Sequence, residues 1–299
     1  MIQPSFSFLV GVALPFSLLA RRNRGHGFFL TFLHAIFRAL LLIGLGIFLR
    51  SNGAKFTFFT FTDTLSQIGL GYVFLFLLGH LPRLFHWSAF GLLVFGYWLA
   101  FALTPIPEEN FAIMGVAPEW KEVHDATGFA AHWNKNANLG WHFDRWFLNL
   151  FPREKPFEFE RGGYATLSFI PTLATMILGL IAGTWLREQR ERSGLLLRLA
   201  AAGVAGVLLG SLLDWVGLCP NVKRIWTPSW VLFSGGICFL MMATFSLAFD
   251  RSPVEALAYP LVVIGANSIF IYCANGLLSG WIIQTLKTHL ALPEKYLGF

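Results

Sequence analysis

The sequence predicts an all-α fold: a polytopic integral membrane helix bundle of about eight transmembrane helices, with one long aromatic-rich outer loop. Three observations lead there. Hydrophobic residues make up 56% of the 299 residues and charged residues only 13%, against about 25% charged in a soluble protein. Mean hydropathy is +0.61. The apolar residues are also gathered into runs of roughly 20, the length a helix needs to cross about 30 Å of hydrocarbon. Only helices suit such runs, because in lipid each backbone amide must find its partner within its own segment.

The first run, 4–20, is "PSFSFLVGVALPFSLLA", followed at once by Arg21, Arg22 and Arg24. A secretory leader carries its basic residues before the apolar run, so this reads as a membrane helix. The second, 28–49, holds His34 and Arg38, which share a helix face. The third, 64–80, opens at "DTLSQ", where Asp63 is expected to cap the helix and Gln67 to lie one turn further in. The fourth is 84–104, the fifth 164–186 and the sixth 195–215. The seventh, 227–249, begins with Thr227 as expected N-cap and Pro228 as first helical residue. The eighth, 258–285, is read as one span in which Asn267 and Ser268 bond to a neighbouring helix. The chain thus divides into helices 1–4 (1–104), a cap loop (105–163), and helices 5–8 with a tail (164–299), all one membrane domain.

Charge sets the orientation. Short connectors 21–27, 81–83, 187–194 and 250–257 carry Arg21, Arg22, Arg24, Arg83, Arg187, Arg190, Arg192 and Arg251. Short arginine-dense loops belong on the cytoplasmic side. The 105–163 loop, with six Lys/Arg against nine Asp/Glu, then lies outside, and so does Met1 at the start of the first run. Lys223 and Arg224 in the opposite turn 216–226 run against the rule. The net charge of +6 follows from this loop bias and is no nucleic-acid signal. Three cysteines without paired spacing give neither a disulfide framework nor a metal site. Soluble-enzyme fingerprints are absent, and "GLGIF" and "GLGYVF" are helix-packing glycines.

Candidate chemistry concentrates in "HWNKNANLGWHFDRWFLN", 132–149. His132, Asn134, Asn138, Trp141, His142, Asp144 and Arg145 are its candidate substrate-binding residues. A neutral histidine takes a proton near pH 7, and Asn and Asp side chains suit sugar hydroxyls. An interfacial aromatic belt explains the same composition. The loop holds eleven aromatics in 59 residues, more than a solvated linker would keep. Lys223 and Trp226 are expected to face the same outer vestibule. On the inner side Arg21, Arg22 and Arg38 are candidate cofactor contacts. Arg38 lies about 15 Å into its helix, where an unpaired charge costs on the order of 3 kcal/mol. Snorkelling of Arg38, and arginines that set topology against anionic lipid, are the structural alternatives.

Seven blocks occur in order: "PSFSFLVGVALPFSL", "RALLLIGLGIFL", "DTLSQIGLGYVF", "FDRWFLN", "LSFIPTLATMILGLIAGTWL", "NVKRIWTPSWVLFSGG" and "GANSIFIYCAN". Together they resemble the heparan-alpha-glucosaminide N-acetyltransferase family, in its bacterial branch, from about Pro4 to Trp281. The resemblance implies transfer of an acetyl group from cytoplasmic acetyl-CoA, as co-substrate, to an amino sugar or glycan on the far side of the membrane. It implies no metal. It also implies a catalytic histidine upstream of Met1, in an outer segment preceding the helix that begins here at "IQPSF". The chain is therefore expected to be a fragment lacking that segment and the family's last helix, with no catalytic residue assigned within it. The location implied is a bacterial inner membrane with 105–163 on the periplasmic or outer side. Membrane lipid is an expected partner, nucleic acid is not, and a homodimer stays open. Two alternatives remain: a transporter or flippase for an envelope sugar or lipid-linked intermediate, and an inactive fragment.

Overall fold

The computed structural model of the chain describes residues 1–106, 114–117, 119, 122, 124, 126–188, 191–249 and 254–297. Ten α-helices are assigned among them. These are α1 (Ile2–Asn23), α2 (Phe28–Arg50), α3 (Thr64–Leu78), α4 (Arg83–Leu103), α5 (Leu139–Phe147), α6 (Phe169–Glu188), α7 (Arg192–Trp215), α8 (Pro228–Phe249), α9 (Val254–Ala266) and α10 (Ser268–Leu297). No strand occurs among the described residues. Among the described residues, seven segments are long and apolar enough to cross a membrane: α1, α2, α4, α6 with the turn before it, α7, α8 and Ser268–Leu290 of α10. The apolar α3 is shorter, at 15 residues. The chain is a polytopic helical membrane protein.

Helix α6 is the axis of the bundle. Of its spanning window 83% is buried, against at most 33% in any other. Its small residues explain this. A Cβ built at Gly179 would collide with the Phe8 carbonyl, and one at Gly183 with the Val12 carbonyl. From the other side, a Cβ at Gly11 would strike the Met176 carbonyl. These pairs advance together along both helices, so α1 lies parallel to α6, backbone against backbone. Small residues that admit such approach are a principal source of helix association in lipid. The same device joins α2 to α3, where a Cβ at Gly69 would stand 2.7 Å from the Ala39 carbonyl. It joins α7 to α8 through Gly203, Gly206, Gly210 and Gly236.

The helix ends sort into two faces. One, the arginine end, carries Arg21, Arg22, Arg24, Arg83, Arg187 and Arg192. Arg83 pairs there with Glu188, and Arg192 donates to the Ser246 carbonyl at 2.8 Å. Arg190 and Arg251 lie outside the described residues. The opposite face, the cap end, gathers the 51–63 connector, residues 126–163 and the turn 216–227.

Local rules hold at some helix starts and fail at others. Met1 stands at the N-cap of α1 with no side-chain cap bond; its carbonyl accepts from Ser5 Oγ at 3.0 Å. Asp63 caps α3 as expected, accepting from Leu65 N at 3.0 Å. Pro228 opens α8 as expected. Thr227 stands at the N-cap position, its carbonyl accepting from Val231 N at 2.9 Å, while its hydroxyl accepts from Val222 N at 3.0 Å and meets Ser229 Oγ at 3.0 Å, closing the turn. The expected single span 258–285 is interrupted at Asn267. The Asn267 amide donates to the Val263 carbonyl at 2.9 Å, four residues back in its own chain, and not to a neighbouring helix. Side chain and backbone compete there for the same carbonyl.

Candidate functional site at the cap end

Buried polar bonds tie the cap and the 51–63 connector to α3 and to the turn before α6. Gln67, 2% exposed, donates through Nε2 to the carbonyls of Phe61 at 2.7 Å and Thr166 at 3.2 Å. Asp144, on α5 and 1% exposed, accepts from Thr166 N at 2.9 Å. The asparagines hold the cap's own backbone. Asn134 both accepts from and donates to Ala126 at 2.9 Å. Asn136 donates to the Met114 and Glu160 carbonyls. Asn138 caps α5 by accepting from Trp141 N at 3.2 Å.

Three of the hollows at this end bear on the expected residues. A cavity of about 440 Å³ opens between the cap and the α7–α8 turn, walled by Trp133, Asn134, Lys135 and Asn138 on one side and Asn221, Lys223 and Arg224 on the other. A second, of about 520 Å³, is walled by Arg50, Asp144, Arg153, Lys155, Glu158 and Glu160 among others. Between them runs a narrow crevice that shares Asn138 and Gly163 with the first, and Asp144 and Glu160 with the second.

The expected residues separate into distinct environments. Asn134, Asn138 and Lys223 line the first cavity; Trp141 and Asp144 line the crevice. Trp141 donates through Nε1 to the Glu158 carbonyl at 2.8 Å, and the Arg145 guanidinium lies 4.9 Å over its ring. His142 is exposed on α5; partial burial, then the nearby Arg145 charge, lowers its pKa from the ordinary value. The His132 Nδ1 lies 2.9 Å from the Thr104 carbonyl, joining the cap to the end of α4. Trp226 departs from the expectation of an outer vestibule. It is 2% exposed, packs in a core cluster with Phe8, Leu178 and Leu199, and donates through Nε1 to Thr175 Oγ1 at 3.0 Å. Its φ of 53° is a genuine outlier for a bulky residue. Core burial and that hydrogen bond hold the left-handed conformation, which fixes the turn Val222–Ile225 against the cavity.

At the arginine end, Arg22 is exposed and Arg21 half-buried. Arg21 and Arg38 both act electrostatically on His34. The guanidinium of Arg38 lies 4.9 Å over the Tyr72 ring and donates to its hydroxyl at 3.4 Å. Tyr72 is thus the partner that Arg38 requires inside the span.

Two groups escaped sequence reasoning. Asp63 caps α3 and also accepts from Arg50 Nε at 3.2 Å and the Tyr272 hydroxyl at 3.1 Å, joining α2, α3 and α10. Nothing in the spacing of residues 50, 63 and 272 announces this. Trp133 and Asn221 come together as cavity walls only because the α7–α8 turn folds under the cap.

Asp144 has the clearest electrostatics. Burial raises its pKa to about 6; hydrogen bonds from Thr166 and the charge of Arg153 oppose the rise, and Glu160 adds to it. Its Oδ1 is buried without a partner. Compared with known proteins, the chain matches no family model and no curated protein.

Proposed function

We propose that the chain is a membrane acyltransferase, taking an acetyl group from acetyl-CoA at the arginine end and delivering it to an amino sugar or glycan at the cap end. In that reaction the acceptor nitrogen or oxygen bonds to the thioester carbonyl carbon, the C–S bond breaks, and the acceptor's proton leaves as the thiolate departs. The observation that carries the reading is the cavity of about 440 Å³. It lies between the aromatic-rich loop and the Lys223–Arg224 turn, the two segments the sequence marks for an acceptor, and across the bundle from the arginines. Arg21 and Arg38 support a role in holding the anionic cofactor, since Arg suits phosphate oxygens geometrically. The ordered resemblance adds the reaction class and the membrane, with the arginine end in the cytoplasm.

Titration calorimetry of acetyl-CoA into the purified chain in neutral detergent tests the cofactor half. Saturable binding that weakens several-fold in Arg21→Gln and Arg38→Gln supports the reading. No saturable binding at high micromolar acetyl-CoA would sink it.

A further inference from the structure

The first cavity also has a chemical character that the acyl-transfer reading does not require. Lys135, Lys223 and Arg224 stand in its walls, and no described lining residue is acidic. Arg224 is held in place, donating to the Gly162 carbonyl and lying 5.8 Å over the Tyr164 ring. Lys223 is exposed and has no carboxylate partner among the described residues. Trp133 and Asn221 also line the cavity, but the Trp133 Nε1 and Asn221 Oδ1 are buried away from its open space.

Beside the cavity runs an apolar belt. Leu218 immediately precedes the cavity turn, and its carbonyl accepts from Trp98 Nε1 at 2.9 Å. The Trp98 ring lies 5.9 Å from the Phe129 ring, and Phe129 adjoins the wall residue Ala130. Phe129, Leu218, Trp215 and Leu103 are all substantially exposed. Exposed Trp and Phe beside the ends of spanning helices mark the headgroup level of a bilayer. A basic pocket with no carboxylate among its described lining residues therefore opens beside this belt, and basic pockets between spanning helices bind lipid phosphates.

We propose that this cavity takes the phosphate headgroup of a membrane lipid, so that the acceptor reaches the site on a phosphate-linked lipid anchor. The acceptor's part in this rests on the acyltransferase reading; the headgroup binding does not, and is measured without acetyl-CoA. Lys223 and Arg224 meet the phosphate oxygens. The chains lie along the Leu103–Trp215–Leu218 belt.

The test uses the full chain, delipidated in neutral detergent, and titrates short-chain phosphatidylglycerol, phosphatidylcholine of the same chains, and glycerol 3-phosphate. Phosphatidylglycerol is expected to bind at least tenfold more tightly than phosphatidylcholine, and glycerol 3-phosphate not to displace it at equal concentration. Lys223→Glu should cut the preference to below threefold. Arg224→Gln, which removes the second wall cation, should weaken phosphatidylglycerol several-fold; both variants are checked for unchanged melting. Equal binding of the two lipids, a preference that survives Lys223→Glu, or displacement by glycerol 3-phosphate alone would each overturn the proposal. Loss of acetyl transfer with the lipid preference intact would overturn only the acyltransferase reading.

Discussion

Replacing Asp144 by Asn gives a stability prediction whose size follows from one buried group. The aspartate pKa rises from 3.8 to about 6 in the fold, chiefly through burial. Each unit corresponds to about 1.4 kcal/mol, so the ionised carboxylate disfavours the fold by on the order of 3 kcal/mol at neutral pH. The sign follows from proton uptake. Between pH 4 and 6 the folded chain holds a proton that the unfolded chain has released, so this group's contribution is most favourable below pH 4. It declines as pH rises to about 6 and is flat above. Asn keeps an oxygen for Thr166 N and cannot ionise. Its NH₂ meets the place where Asp144 Oδ1 has no partner, a cost of about 1–3 kcal/mol that does not vary with pH. The stability difference between variant and parent should therefore shift by on the order of 3 kcal/mol in the variant's favour from pH 4 to pH 7.5. Melting midpoints of both proteins, followed by tryptophan fluorescence in neutral detergent across that range, read it directly. Parallel pH profiles would refute the assignment of the buried charge.

Other substitutions test the packing and the site. Gly179→Leu and Gly183→Val drive side chains into the Phe8 and Val12 carbonyls and should abolish a monodisperse peak in size-exclusion chromatography, whereas Gly91→Ala, with open space around it, should change stability by less than about 1 kcal/mol. Gln67→Leu removes the donor to Phe61 and Thr166 and leaves their buried carbonyls short of a partner; a loss of about 1–3 kcal/mol is expected, seen as a lower melting midpoint. Trp226→Phe deletes the bond to Thr175 and should cost about 1 kcal/mol or somewhat more, with protection from amide exchange falling first in the Val222–Ile225 turn. In cysteine-substituted vesicles, His142→Cys and Arg24→Cys should be labelled by an impermeant maleimide from opposite sides of the membrane; labelling from the same side would contradict the two-faced bundle.

The spans were legible because their signal is local. Runs of twenty apolar residues and clustered arginines need no tertiary knowledge, and the Asp63 cap depends on residues two positions apart. What escaped depends on distant partners. Trp226 reads as a vestibule residue beside Lys223, yet its side chain is claimed by Thr175, fifty-one positions earlier. Asn267 reads as glue between helices, yet the nearest competitor for its amide is the carbonyl one turn back. Asn134 and Asn138 read as sugar ligands; they do line the cavity, but the cap's own carbonyls and amides occupy their side chains first. The meeting of the two segments around one cavity was thus legible, while Trp133 and Asn221 join its walls only through the fold.

The most direct test of vectorial acyl transfer uses sealed proteoliposomes with acetyl-CoA, labelled in its acetyl group, supplied only to the arginine end and a glucosamine-terminated saccharide only to the cap end. The account predicts label on the saccharide in the compartment that never held acetyl-CoA, and none when the protein is left out. Saccharide that stays unlabelled, or that crosses the membrane at the same rate with and without acetyl-CoA, would contradict it.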